Sequence, residues 1–218
     1  MRLKSKVLLP VVCLAVSLGA STVHAQLFGM PKIPSVTGGS SGGSTSINGA
    51  ELAKNVVVAL TSFAKAQLGL ADALGGYTNY AAGLEAVQKM NAGDPAYKVS
   101  KSDIQTTTTI SKPAQEFIDS KIKENVKLDA DQKKKAAAAA LDYVKGLAAT
   151  TKLTGNVQDV AKNPTSLGMD AGTLVYAAKE MPGVVSGGVS TTSSLISYLS
   201  AQGVDTKAVK AELDAMPK

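Results

Sequence analysis

Apolar residues recur at helical spacing along most of the chain from Asn48 onward. Ala53, Val56, Leu60, Phe63, Gln67, Leu70 and Leu74 follow one another at alternating steps of three and four. All but Gln67 are apolar, so together they draw one face of a long amphipathic helix. Asn48 offers a side-chain acceptor at its start and Glu51 an acid three residues on, the pattern of a capping box. Gly75-Gly76 weakens or kinks this helix. Beyond it Tyr80, Leu84, Val87 and Met90 resume a stripe that runs to about Asn91, with Gly83 lowering its helix propensity. A loop with Gly93 and Pro95 then leads to Ser100.

The middle of the chain is harder to read. Thr106 to Thr109 are four consecutive threonines, which favour a strand by propensity. No partner strand is in sight, so Ile104 to Ile110 reads as a poor helix or an extended linker. Pro113 suits the first turn of a new helix, with Phe117, Ile118, Ile122 and Val126 as its short apolar face. Asp129 and Gln132 mark another capped start, and the alanine run from Ala136, followed by Leu141, Val144 and Leu147, predicts a strong helix ending at Gly155 or at Asn163-Pro164. A further helix is expected over 166–179, stopped by Pro182 and Gly183. Val185, Val189, Thr192, Ile196 and Leu199 form the stripe of the next one, which Gly203 ends. Asp205 caps a short terminal helix reaching Met216.

These patterns predict an all-α fold: an antiparallel bundle of five or six helices over residues 48–218, with no internal repeat. Residues 26–47 are a flexible leader, rich in Gly and Ser and poor in groups to bury. Before it, Arg2, Lys4 and Lys6 precede an uncharged, mostly apolar run, and Val23-His24-Ala25 offers a cleavage site before Gln26. Residues 1–25 therefore read as a signal peptide, and they resemble that of an exported bacterial protein. The apolar run is shorter than the roughly 20 residues that span a bilayer. A periplasmic or secreted location is expected.

Composition narrows the chemistry. The 218 residues hold 23 Lys+Arg, 17 Asp+Glu, one Cys, one His and no Trp. Arg2, Cys13 and His24 all fall in the signal peptide, so the remainder has no Arg, Cys, His or Trp. That remainder cannot form a disulfide, a zinc or haem site of the usual kind, a histidine pH switch or a Cys/His catalytic pair. Without Arg it lacks bidentate phosphate clamps and the main base-reading side chain, so no nucleic-acid partner is expected.

Few candidate sites survive. The Ser-x-x-Lys spacing of penicillin-binding enzymes occurs at Ser62/Lys65 and Ser120/Lys123. The Ser-Asp-Asn and Lys-Thr-Gly motifs that accompany it are missing, and Ser and Lys are common enough here to produce both by chance. Asp129, Asp131 and Asp205 lack the ligand density of a calcium loop and read as caps. Lys133-Lys134-Lys135 reads as a solvated face. Residues 181–203 carry no charge, with Gly183 and Gly187, and Ser186, Ser190 and Ser194, at steps of four. Such small residues let helices approach closely, in a soluble bundle or in a membrane. Tyr77 and Tyr80 beside the glycine pair are the candidate ligand-lining residues.

The expectation is an exported, non-enzymatic helical protein that binds or builds at the cell envelope, with a protein or a small apolar molecule as partner and no cofactor or metal. The alternative is a membrane-active protein that uses residues 181–203.

Overall fold

The computed structural model describes residues 48–90, 94, 96–162 and 171–216. The expected signal peptide, the leader, and the start of the helix predicted at 166 lie outside them. Six helices are present: α1 (Gly49–Gly75), α2 (Tyr80–Lys89), α3 (Lys101–Lys123), α4 (Ala130–Ala161), α5 (Ala171–Ala201) and α6 (Lys207–Asp214), with no strand among the described residues. The fold is all-α.

Local signals explain most of the boundaries. Asn48 Oδ1 accepts from the backbone N–H groups of Ala50 and Glu51 at 3.1 and 3.3 Å and so starts α1. Gly76, at φ 72°, ends it in the left-handed conformation that glycine adopts without strain. Asp129 accepts from Asp131 and Gln132 N–H at 2.9 and 2.8 Å, and Gln132 returns the bond to Asp129 N–H at 3.0 Å. At the chain's end the cap is Thr206, while Asp205 accepts from Lys207 N–H at 3.0 Å.

Consecutive helices reverse direction. Leu52 and Val56 near the start of α1 share an apolar cluster with Leu153 and Val157 near the end of α4 and with Leu174 and Ala177 near the start of α5. A second cluster joins Phe63 and Leu74 of α1 to Tyr143 and Leu147 of α4 and to Leu195 and Leu199 of α5. Four long helices close a ring in the order α1, α4, α5, α3. The short α2 lies on the α1–α3 side, where Gly83 abuts Leu68 and Ile110.

The first helix differs from the expected amphipathic one. Its predicted stripe is buried, but so are Val57, Ala59, Ala64, Leu68 and Ala71 between the stripe positions. α1 is the central helix, with neighbours on nearly every side. Close approach on two of those sides depends on glycine. A Cβ on Gly146 of α4 would stand 2.9 Å from the Phe63 Cα, and one on Gly188 of α5 would stand 2.6 Å from Leu147 Cδ1 and 3.0 Å from Phe63 Cζ.

The threonine run is helical, and Pro113 lies inside α3 rather than at the start of a new helix. Ile104, Thr107, Ser111, Ala114 and Ile118 are buried at steps of three and four, so one face runs straight through the proline. Two of its five members, Thr107 and Ser111, are hydroxyl residues, so the buried face is not a stripe of apolar positions. The Thr107 hydroxyl donates to the Ile104 carbonyl at 2.8 Å and that of Thr108 to the Gln105 carbonyl at 3.0 Å, which satisfies both without leaving the helix. Asp103 anchors the start, accepting from Ser100 N–H at 2.7 Å and from the Tyr97 hydroxyl at 2.8 Å.

Pro182-Gly183 likewise does not stop a helix. α5 is continuous from Ala171 to Ala201 with Pro182 inside it. Its buried face holds Met181, Gly188, Thr192, Leu195 and Leu199, so Gly188 replaces the expected Val189, which is exposed. The close-packing glycine is Gly188. A Cβ on Gly183 or Gly187 would meet nothing within 4 Å, and Ser186, Ser190 and Ser194 are exposed.

Burial and the Asp103 carboxylate push the Tyr97 hydroxyl up to about 12 from an ordinary 10.0. Burial also raises Tyr143. A raised value means that the folded chain favours the neutral phenol. This stabilisation is complete below pH ~10 and disappears as pH climbs through the folded values. Alkaline titration is therefore expected to show tyrosinate absorbance in two stages, with helicity falling in the second. One uniform transition near pH 10 with helicity intact would contradict it.

Candidate functional site

A cleft of about 350 Å³ opens between α3 and α5, with α1 at its floor. Its lining comes from three helices. α1 contributes Gln67, α3 contributes Thr108, Ser111, Lys112, Gln115 and Glu116, and α5 contributes Glu180, Gly183, Val184 and Gly187. The size lies at the lower end of small-molecule sites, which run from roughly 300 to 1,000 Å³.

A polar network runs from the surface to the buried floor. Asp119 accepts from the Thr191 hydroxyl, and Thr191 accepts from Gln115 Nε2. Gln115 Oε1 in turn accepts from Gln67 Nε2 at 2.9 Å and from the Tyr143 hydroxyl at 2.7 Å. The polarity of this chain is fixed from one end. An ionised carboxylate can only accept, so Thr191 must donate to Asp119 and take its own bond from the Gln115 amide N–H. Gln115 then has only its oxygen to offer inward, and Gln67 must meet it with its N–H. The Gln67 Oε1 is left buried and without a partner. Gln67 itself is 2 % exposed. An unsatisfied buried acceptor costs about 1–3 kcal/mol, and native proteins hold few of them.

Glycine keeps the cleft open. Gly183 and Gly187 have no positive φ and no neighbour that a Cβ would strike. Each costs a helix about 0.8–1.0 kcal/mol relative to Ala. Gly155 and Gly172 are unopposed too, but neither lines the cleft. Each wall also carries a proline. Pro113 and Pro182 have no N–H to offer the carbonyls of Thr109 and Ala178, so each wall is missing one rung of its helical ladder.

The charges of the cleft are unpaired. Lys112 and Glu116 are exposed at its rim and Glu180 is half-buried, and no salt bridge among the described residues involves any of them.

The candidates from sequence lie elsewhere. Tyr77 is buried against Phe117, ring centroids 5.1 Å apart, and half-buried Tyr80 packs against the same cluster. Burial, with the Asp72 charge adding to it, raises the Tyr80 hydroxyl. Neither lines the cleft. Ser62 is buried on α1, and no hydrogen bond joins it to Lys65, whose ammonium burial pushes down. The Ser120 hydroxyl donates to Glu124 at 2.7 Å rather than to Lys123. Asp129 and Asp205 are occupied by backbone N–H groups, and no cluster among the described residues is suited to a metal. Of the described helices, the one long and apolar enough to cross a membrane is α1, not α5, and 89 % of its apolar stretch is buried in the bundle.

Gln67 carried a signal in the sequence as the lone polar member of the first apolar stripe. Gln115, Thr191 and Glu180 carried none, because only the packing of α3 against α5 unites them.

Comparison with known proteins gave no match: no family model, curated protein or solved structure matches this chain.

Proposed function

We propose that this chain is a non-enzymatic helical binding protein, exported to the bacterial cell envelope, and that the α3–α5 cleft holds its ligand. The observation that carries the reading is the open cleft of about 350 Å³ between α3 and α5, lined from three helices, with two glycines in its α5 wall that no close contact requires. Placement at the envelope rests on the signal-like pattern of residues 1–25.

Filling the cleft tests this without dismantling the bundle. Gly187→Leu introduces a side chain where no atom lies within 4 Å of the new Cβ. The protein purified from its own compartment without detergent is expected to show a discrete non-covalent adduct in a native mass spectrum, and the Gly187→Leu variant to show none. An adduct present in both forms would place the ligand elsewhere. The milder Gly183→Ala and Gly187→Ala changes are each expected to raise stability by about 0.8–1.0 kcal/mol in chemical denaturation. A loss of stability instead would mean that these glycines serve the fold.

A further inference from the structure

We infer that α3 and α5 are jointed at Pro113 and Pro182. Their first halves, residues 101–112 and 171–181, undock from the bundle and melt together as one unit, which opens the cleft. The joint belongs to the bundle itself and stands or falls without the ligand. To the reading of the cleft as a ligand site it adds a way in.

The two halves of each helix are held differently. Beyond the prolines, Thr191 of α5 donates to Asp119 of α3 and accepts from Gln115 of α3, which ties the helices together. Ahead of the prolines no hydrogen bond or salt bridge joins α3 to α5 among the described residues. The tie there is the Lys101 ammonium, 4.7 Å over the Tyr176 ring. Burial differs in the same sense. Ahead of Pro113, α3 buries Asp103, Ile104, Thr107 and Ser111, of which Ile104 alone is apolar. Ahead of Pro182, α5 buries Leu174, Ala177 and Met181. These four apolar residues join the cluster around the start of α1 and the end of α4, which buries no aromatic ring. Ala114, Ile118, Leu195 and Leu199, beyond the prolines, join the other cluster, with Phe63 and Tyr143. The core thus divides where the prolines lie, and the first halves rest on its weaker part.

The joints sit at the cleft. Each proline removes one rung of its ladder, and the chain neighbours Lys112 and Gly183 both line the opening. The halves ahead of them are poor helices in their own right. α3 carries Thr106 to Thr109 there, and the Thr107 and Thr108 hydroxyls bond carbonyls of their own helix. α5 carries Gly172 and Thr173. Neither half exceeds the roughly 12–15 residues below which a helix is marginal in water, so a half that leaves the core also loses its helix. Thr108, Ser111, Lys112 and Glu180 of the cleft lining lie in these halves and leave with them.

Native-state hydrogen exchange of the full-length protein in low urea tests this. The amides of Thr107, Ser111, Ala177 and Met181 are expected to share one protection factor, at least roughly tenfold below that of Ile118, Leu195 and Leu199. Two mild substitutions then separate the units. Ile118→Val is expected to lower the protection of Leu195 and Leu199 roughly two- to tenfold and leave the first halves unchanged, because residue 118 stays buried when they open. Ala177→Gly in α5 is expected to lower the protection of Thr107 and Ser111 in α3 by at least roughly fourfold, as much as that of Met181.

Equal protection on both sides of the prolines, falling everywhere in Ile118→Val, would mean one cooperative bundle and overturn the joint. If Ala177→Gly leaves Thr107 and Ser111 unmoved, the halves open separately and their pairing is overturned. The native adduct is an independent readout. Two levels of protection without any adduct would leave the joint standing and sink the ligand reading. An adduct abolished by Gly187→Leu in a uniformly protected protein would do the reverse.

Discussion

Phe63→Ala is expected to cost the fold about 3–5 kcal/mol, the range for deleting a fully buried aromatic ring. Phe63 is completely inaccessible and packs on the Tyr143 ring at a centroid distance of 5.0 Å, tilted by 59°. It is wedged where α1, α4 and α5 meet, with Gly146 against its backbone and Gly188 under its ring tip. Those three helices already approach as closely as glycine permits, yet they cannot collapse into the space the ring vacates. Tyr143 is held by Gln115, and Leu147 is fully buried. Domains of this kind have roughly 5–15 kcal/mol in total, so the variant is expected to be partly unfolded at moderate temperature. Urea denaturation followed by helicity checks it. A loss under about 1 kcal/mol would mean that the site relaxes around the deletion.

Gly146→Ala is expected to lose stability on balance, although alanine is the better helix former by about 0.8–1.0 kcal/mol. The new methyl would stand 2.9 Å from the Phe63 Cα and 3.3 Å from its backbone N. These are main-chain atoms of the central helix, and no rotamer change can move them aside. Separating α1 from α4 enough to admit the methyl costs roughly 1–3 kcal/mol, the usual penalty for overpacking. The same substitution one face away gives the opposite sign. Gly155 on the same helix is exposed with nothing within 4 Å, so Gly155→Ala is expected to gain the full propensity term. Measured together, the two should move the midpoint in opposite directions. If Gly146→Ala also stabilises, the α1–α4 approach has slack that the packing does not show.

The contrast between these glycines explains how much of the molecule was legible in its sequence. Helix starts with a side-chain cap, at Asn48 and Asp129, were readable because their chemistry is local. The turn at Gly203 is readable for the same reason, whereas the kink expected at Gly75-Gly76 is a full stop: Gly76 ends α1 and α2 starts afresh at Tyr80. Pro113 and Pro182 have the local chemistry of boundaries but lie inside helices. Their cost to a helix is real, but burial of Ile104, Thr107 and Ile118 on one side, and of Leu174, Met181 and Leu195 on the other, outweighs it. The stripe of α5 was misplaced by one position in its first half because glycine does not register as a packing residue, whereas Gly188 is the point of closest approach. The cleft could not be read at all. Gln67, Gln115 and Glu180 lie far apart in the chain, and only the folded bundle brings them to one opening.

The central position of α1 also bears on how the chain comes to be folded. It leaves the ribosome before α3, α4 and α5, which cover it. Phe63 cannot meet Gly146 or Gly188 until both later helices have been made. For most of synthesis, then, a long apolar segment waits for partners that do not yet exist, and transiently exposed surface of this kind is what chaperones bind and what aggregates. Nascent chains ending between α3 and α4 should be the ones most strongly held by a chaperone, and release should come as α4 emerges and docks.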